Sequence, residues 1–112
     1  MTLAITTKDG VTIISLDPRF DANSAPEIET EIKKALAPGP QKVIFDFSQT
    51  GYIASAGLRV LLSTSRMVLK GGGAVVLCSL SPQVRQVFDI AGFLKIFTVA
   101  GSRDEALTLL KK

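Results

Sequence analysis

There is no histidine in these 112 residues, which removes a Ser-His-Asp triad, a histidine metal site and the commonest general base at neutral pH. Cysteine occurs once, so no internal disulfide can form. Its setting in Val75-Val76-Leu77-Cys78 is that of a buried strand residue rather than a reactive thiol. No apolar run approaches the roughly 18 residues of a membrane span, and no basic stretch followed by an apolar one stands at the N-terminus. A cytoplasmic location without membrane contact is therefore expected. Net charge is also scarce. The formal value is +3, too mild to argue a nucleic-acid interface, and no direct nucleic-acid partner is expected. Acidic clusters are missing as well: Asp17 and Asp21 are too isolated to argue a metal site. Asp46, near a strand end, lacks the acidic partners that a phosphoaccepting aspartate needs to hold Mg²⁺, because the first strand ends Ile5-Thr6-Thr7. The expectation is a protein without metal, cofactor or catalysis of its own.

What is present is enough for one domain over 1–112, since 46% of the residues are hydrophobic and the length suits a single core. Two β-rich runs, Leu3 to Thr7 and Val11 to Leu16, meet at Asp9-Gly10, a pair that favours the positive φ angles of a type I′ turn and predicts an antiparallel hairpin. A loop follows, with Ser24 and Glu27 spaced as a capping box for a helix to about Ala37. Ala25, Ile28, Ile32 and Leu36 would form its inward stripe, Glu29 and Lys33 would pair outside, and Pro38-Gly39-Pro40 would stop it. Val43 to Phe47 and Ala74 to Cys78 have the composition of buried strands. Ser81-Pro82 opens a helix with Val84, Val87, Phe88 and Ala91 inward, ended by Gly92. Ile96 to Val99 would be a last short strand, and Ser102 with Glu105 caps a terminal helix carrying Ala106, Leu107 and Leu110 on its inner side. Strands alternating with helices after a hairpin predict an α/β domain: a mixed, mainly parallel sheet with an N-terminal antiparallel hairpin, covered by about four helices.

The central unit is Val43 to Gly73, a strand, a polar turn and a long helix opening at Ser55. Leu58, Leu61, Leu62, Ser65 and Leu69 fall on one side of that helix and Arg59, Ser63, Arg66 and Lys70 on another. Gly71 is expected to take the left-handed cap, and Gly71-Gly72-Gly73 therefore stops a helix instead of cradling a phosphate. Residues 1–49 hold 5 basic and 7 acidic side chains and 50–112 hold 8 and 3, so the helix lies in the basic half. Ser55 stands where free N–H groups and the positive dipole end favour an anion. Taken alone, those residues leave two readings open: a modification or contact site, or an ordinary N-cap with Gly57 permitting close packing.

Several separated motifs bear on that choice. Phe20-Asp21-Ala22 before Ala25-Pro26-Glu27, the Val43 to Phe47 strand, Tyr52-Ile53-Ala54-Ser55-Ala56-Gly57-Leu58, and Ser81-Pro82-Gln83-Val84 with Phe88 and Gly92 together resemble the STAS domain family, and within it the bacterial anti-sigma factor antagonists. The resemblance implies a partner switch. Unphosphorylated, such a domain binds an anti-sigma factor that is also a serine kinase, which frees a sigma factor for transcription. Phosphorylation at the position of Ser55 ends that binding, and a serine phosphatase restores it. Partner contacts are then expected from Asp21, Asn23, Ala54, Ser55, Ala56, Gly57, Leu58 and Arg59. Members with the best-known phosphorylation motif have Asp before the serine and Ser or Thr after it, where this chain has Ala54 and Ala56. The family also includes scaffold modules that need no phosphoserine, so the second expectation is a non-phosphorylated interaction module in a signalling complex.

Overall fold

The computed structural model describes residues 3–36 and 39–111. Strands β1 (Ala4–Lys8) and β2 (Val11–Ser15) form the expected antiparallel hairpin, and Asp9 and Gly10 both take positive φ, 54° and 78°. A two-residue strand β3 (Arg19–Phe20) precedes helix α1 (Ala25–Ala35), and β4 (Lys42–Asp46) leads through β5 (Tyr52–Ile53) into α2 (Ser55–Lys70). Then come β6 (Ala74–Cys78), α3 (Pro82–Ile90), a 3-10 turn at Phe93–Lys95, β7 (Thr98–Ala100) and α4 (Arg103–Leu110). The main sheet runs β1-β2-β4-β6-β7, parallel from β2 onward. The α/β class, the mixed sheet and the four helices thus agree with the sequence.

Side chains alternate across a strand, so adjacent residues feed opposite cores. Ile13, Ile44 and Val76 are register neighbours and pack with Ala106, Leu107 and Leu110 of α4. One residue on, Ile14, Phe45 and Leu77 face the core built from α1, α2 and α3. Cys78 is buried, and burial first, then the charge of Asp46, pushes its thiol up to about 11. At neutral pH it stays protonated and unreactive.

Local readings were shifted in four places. Ser24 does not cap α1: its hydroxyl donates to the Arg19 carbonyl at 2.8 Å and accepts from the Asp21 N–H. Asp21 caps instead, its Oδ1 accepting from Asn23 and Ser24 N–H at 3.0 and 3.2 Å. The helix still begins at Ala25, but it is entered through a turn over residues 21–24 that Asp21 closes, the Ala25 N–H bonding the Asp21 carbonyl at 2.8 Å. In α2 the buried stripe is Gly57, Val60, Leu61, Thr64, Ser65 and Val68, and Leu69 is exposed, so the helix is rolled about its axis relative to the expected stripe. It is Gly72, not Gly71, that takes positive φ, 85° against −77° for Gly71. Gly72 N–H and Gly73 N–H bond the carbonyls of Leu69 and Val68 at 3.0 Å each, which is the Schellman pairing. The last strand begins at Thr98 rather than Ile96, since Phe93–Lys95 continues to turn. Helix α1 ends at Ala35, with Leu36 already extended, two residues before the expected end near Ala37; Pro38 lies outside the described residues, and Glu29 and Lys33 do pair, at 3.6 Å.

Asp46 ties the second core to the sheet. Its carboxylate is nearly buried and accepts from the Arg103 guanidinium at 2.6 and 3.1 Å and from Ser48 N–H at 2.9 Å. Burial alone would raise its pKa, but the Ser48 N–H and Arg103 together outweigh that and hold it below the usual value. Because the folded-state pKa is lower than the unfolded one of about 3.9, the stabilisation is complete above that pH and is lost as pH falls through the folded value. Arg103→Ala should cost roughly 2 kcal/mol at pH 7, since a nearly buried carboxylate loses a charged partner. Urea unfolding at pH 7 and in acid is the measurement, and the variant should lose less on acidification than the wild type.

Candidate functional site

Ser55 owes its position to the short ladder that sequence periodicity could not reveal. Arg19 pairs with Tyr52 and Phe20 with Ile53, in parallel, which lays the loop after β2 against the loop after β4. Thr50 fastens the same loops from beneath, its hydroxyl donating to the Asp17 carbonyl at 2.8 Å. The Ala54 N–H then donates to the Phe20 carbonyl at 3.0 Å. Ala54 is extended, with φ −113° and ψ 176°, and the chain turns into α2 at the next residue. Both loops lie beyond the carboxyl ends of parallel strands, where open α/β sheets commonly place their sites.

Gly57 makes this approach possible. A Cβ there would lie 2.5 Å from the Phe20 carbonyl oxygen and 2.9 Å from its ring. Backbone atoms cannot step aside as a flexible side chain would, so only glycine fits.

The N-cap of α2 is Ala54 and Ser55 is the first helical residue. Its side chain is exposed, and its hydroxyl makes no hydrogen bond among the described residues. The ordinary N-cap role therefore does not explain this serine. The first helical bond runs from Leu58 N–H to the Ala54 carbonyl at 3.1 Å, so Ser55, Ala56 and Gly57 direct N–H groups to no helical acceptor, and no side chain caps them. No acidic residue stands in the first turn. An anion would meet a favourable dipole end without a competing carboxylate.

The other expected contact residues divide. Asn23, Ser55 and Arg59 are exposed, Asp21, Ala54, Ala56 and Leu58 are half-buried, and Gly57 is buried. Leu58 packs against the main core. Asp21 and Asn23 share a shallow recess of about 230 Å³ with Arg19, Ser24 and Glu27. Ala56 and Arg59 instead border a groove of about 420 Å³ between α1 and α2, opposite Ala25, Pro26 and Glu29. Small alanines leave the groove open, while Glu29 and Arg59 give its walls opposite charge. Asp21 is occupied locally. Burial would raise its pKa, but the Ser24 and Asn23 N–H groups and Arg19, at 3.3 Å, outweigh this and hold the carboxyl below the usual value.

Arg19 and Tyr52 were not singled out from sequence, yet the Arg19 guanidinium lies 4.5 Å from the centre of the Tyr52 ring and both are exposed. Their signal was present but weak: each precedes an apolar residue, Phe20 or Ile53, isolated in a polar loop. The α1 side of the groove was missed because only packing of the two helices creates it. No group of three or more His, Cys, Asp and Glu side chains that could hold a metal occurs among the described residues.

Fold and site define a small α/β domain that presents, beside a two-loop ladder, an uncapped helix start carrying a free serine hydroxyl. The STAS domain family profile matches residues 2–106, and the chain belongs to that family, among its anti-sigma factor antagonists. BtrV of Bordetella bronchiseptica, named as an anti-sigma factor antagonist, is 39% identical over 111 residues, spanning 99% of this chain and 96% of that one. An anti-sigma factor antagonist from Mycobacterium paratuberculosis superposes with a TM-score of 0.85 at 28% identity, over 99% of this chain and 94% of the other. A STAS domain protein from Planctomyces limnophilus shares the fold at a TM-score of 0.91 and 21% identity, over 98% of each chain. None of the helices among the described residues is long and apolar enough to cross a membrane.

Gly57→Ala should destabilise the domain by about 1–3 kcal/mol through overpacking against Phe20. Urea unfolding measures the loss, and a change within experimental error would show that the loops can separate without cost.

Proposed function

We propose that this domain is a partner-switching antagonist whose contact surface is set by the phosphorylation state of Ser55. Its partner is an anti-sigma factor with serine kinase activity, and a serine phosphatase reverses the modification. The observation that carries the reading is the Ser55 hydroxyl itself, exposed at the first position of a 16-residue helix and engaged in no hydrogen bond among the described residues. A side chain with no structural duty is available to a kinase. A phosphoserine there adds about −1.5 to −2 charges, which the helix start tolerates because its N–H groups and dipole favour an anion. The same charge occupies the rim that a partner would cover, so binding is lost while the fold persists.

The partner surface combines Ser55, Ala54, Ala56 and Arg59 with Asp21 and Asn23 of the adjoining loop. Gly57 and Leu58 contribute by holding that surface in place from within. Asp21 shapes the loop through its capping bonds while its other oxygen meets Arg19.

A constitutive interaction module is the second reading, favoured by Ala54 and Ala56, which give a kinase no charged or hydroxyl-bearing neighbour to recognise. Intact mass separates the two. With ATP and its cognate anti-sigma kinase, the wild-type domain should gain one phosphate and Ser55→Ala none. An unchanged wild-type mass supports the constitutive module, and a gain that persists in Ser55→Ala moves the site.

Ser55→Asp should weaken partner binding in calorimetry while leaving the isolated domain as stable as the wild type or about 0.3–1 kcal/mol more stable in urea. Undiminished affinity in the stable variant would contradict the switch.

A further inference from the structure

A further cavity, of about 280 Å³, opens between another face of α2 and the β6–β7 end of the sheet. Leu62 and Leu69 of α2, Val75 of β6 and Ile96 supply apolar walls. Leu69 and Ile96 at its mouth are 56% and 63% exposed, well above what side chains of their kind usually show in a closed core. Two polar groups are set in these walls. Ser65 lines the cavity, is 1% exposed, and its hydroxyl is buried without a hydrogen-bond partner among the described residues. Arg66 also lines it and makes no hydrogen bond or ion pair among the described residues. Aspartate and glutamate are absent from the lining, and Lys70 and Lys95 adjoin Leu69 and Ile96 in the chain.

We propose that this cavity binds a small apolar monocarboxylate. Each feature asks for a different part of such a ligand. The hydrocarbon portion covers the aliphatic walls and removes Leu69 and Ile96 from water. The carboxylate meets the Arg66 guanidinium, whose fork of N–H groups matches carboxylate geometry and has no other acid to engage. The Ser65 hydroxyl, which turns about a single torsion, donates to the same carboxylate and gains the partner it lacks. A cation would be repelled by the basic surroundings, and a neutral ligand would leave the guanidinium unused. The cavity is slightly below the roughly 300 Å³ at which drug-sized sites begin, so the ligand is small. Ser65 lies ten residues along α2 from Ser55, about 15 Å of helix. The site is separate from the switch surface and does not depend on it.

The test titrates the isotopically labelled 112-residue protein with 4-phenylbutyrate and, in parallel, its uncharged counterpart 4-phenylbutan-1-ol, following amide shifts by NMR. Saturable shifts should centre on Ser65, Leu69 and Ile96. Arg66→Gln, a surface change, should weaken the carboxylate at least tenfold, and the alcohol should bind the wild type at least tenfold less tightly than the acid. Ser65→Ala should weaken the acid about threefold while its melting temperature is unchanged or higher, because an unpartnered buried hydroxyl is removed. Ser55→Ala should bind as the wild type does. Absence of saturable shifts, shifts centred elsewhere, or full affinity in Arg66→Gln or Ser65→Ala would each overturn the assignment.

Discussion

The contact between Phe20 and Gly57 holds the functional end of this domain together. Phe20 is fully buried, and its carbonyl accepts the Ala54 N–H at 3.0 Å. Its carbonyl and ring occupy the space a side chain at 57 would need. One residue thus anchors the loop carrying Asp21 and Asn23, completes a rung with Ile53, and sets the distance between that loop and the start of α2. Close packing of this kind tolerates little adjustment. A modest change at either residue would therefore shift the Asp21–Asn23 loop against the start of α2.

The rest of the fold provides rigidity behind that contact. Parallel strands β2, β4 and β6 carry alternate residues into two cores, so the sheet is buried on both faces and cannot shift register without reversing both sets. The Asp46–Arg103 pair links α4 to the end of β4, next to the turn that leads toward β5. Loops that emerge from such a base can hold exposed polar groups in fixed positions. That arrangement suits the switch proposed above, in which an interface changes by charge rather than by refolding.

Two serines of α2, one at its start and one in its interior, show how differently a helix can present this residue. Ser55 sits at an uncapped end with its hydroxyl free in solvent. Ser65 faces inward with its hydroxyl buried and unpartnered, whereas Thr64 beside it donates to the Val60 carbonyl at 2.8 Å. The Thr64 bond is the usual fate of a hydroxyl within a helix. Departure from it at Ser65, and the lack of any cap at Ser55, mark two places where the helix holds polar capacity in reserve.

Much of this was legible in the residues alone. The hairpin at Asp9-Gly10, the caps at Ser81 and Ser102, the buried strand at Cys78 and the order of strands and helices follow from turn chemistry, capping and short-range periodicity. Those effects act within a few residues. Ser55 could be singled out because a serine opening a helix after a strand is itself a local pattern. The structure decided what depends on segments distant in the chain: the Arg19–Phe20 and Tyr52–Ile53 ladder, the roll of α2 that buries Val60 and exposes Leu69, and the capping of α1 by Asp21 instead of Ser24. Two-residue strands carry too little periodicity to be read. The exposure of the Ser55 hydroxyl was likewise settled in three dimensions, because capping depends on the backbone angles of Ala54, and those are imposed by Phe20, 34 residues earlier.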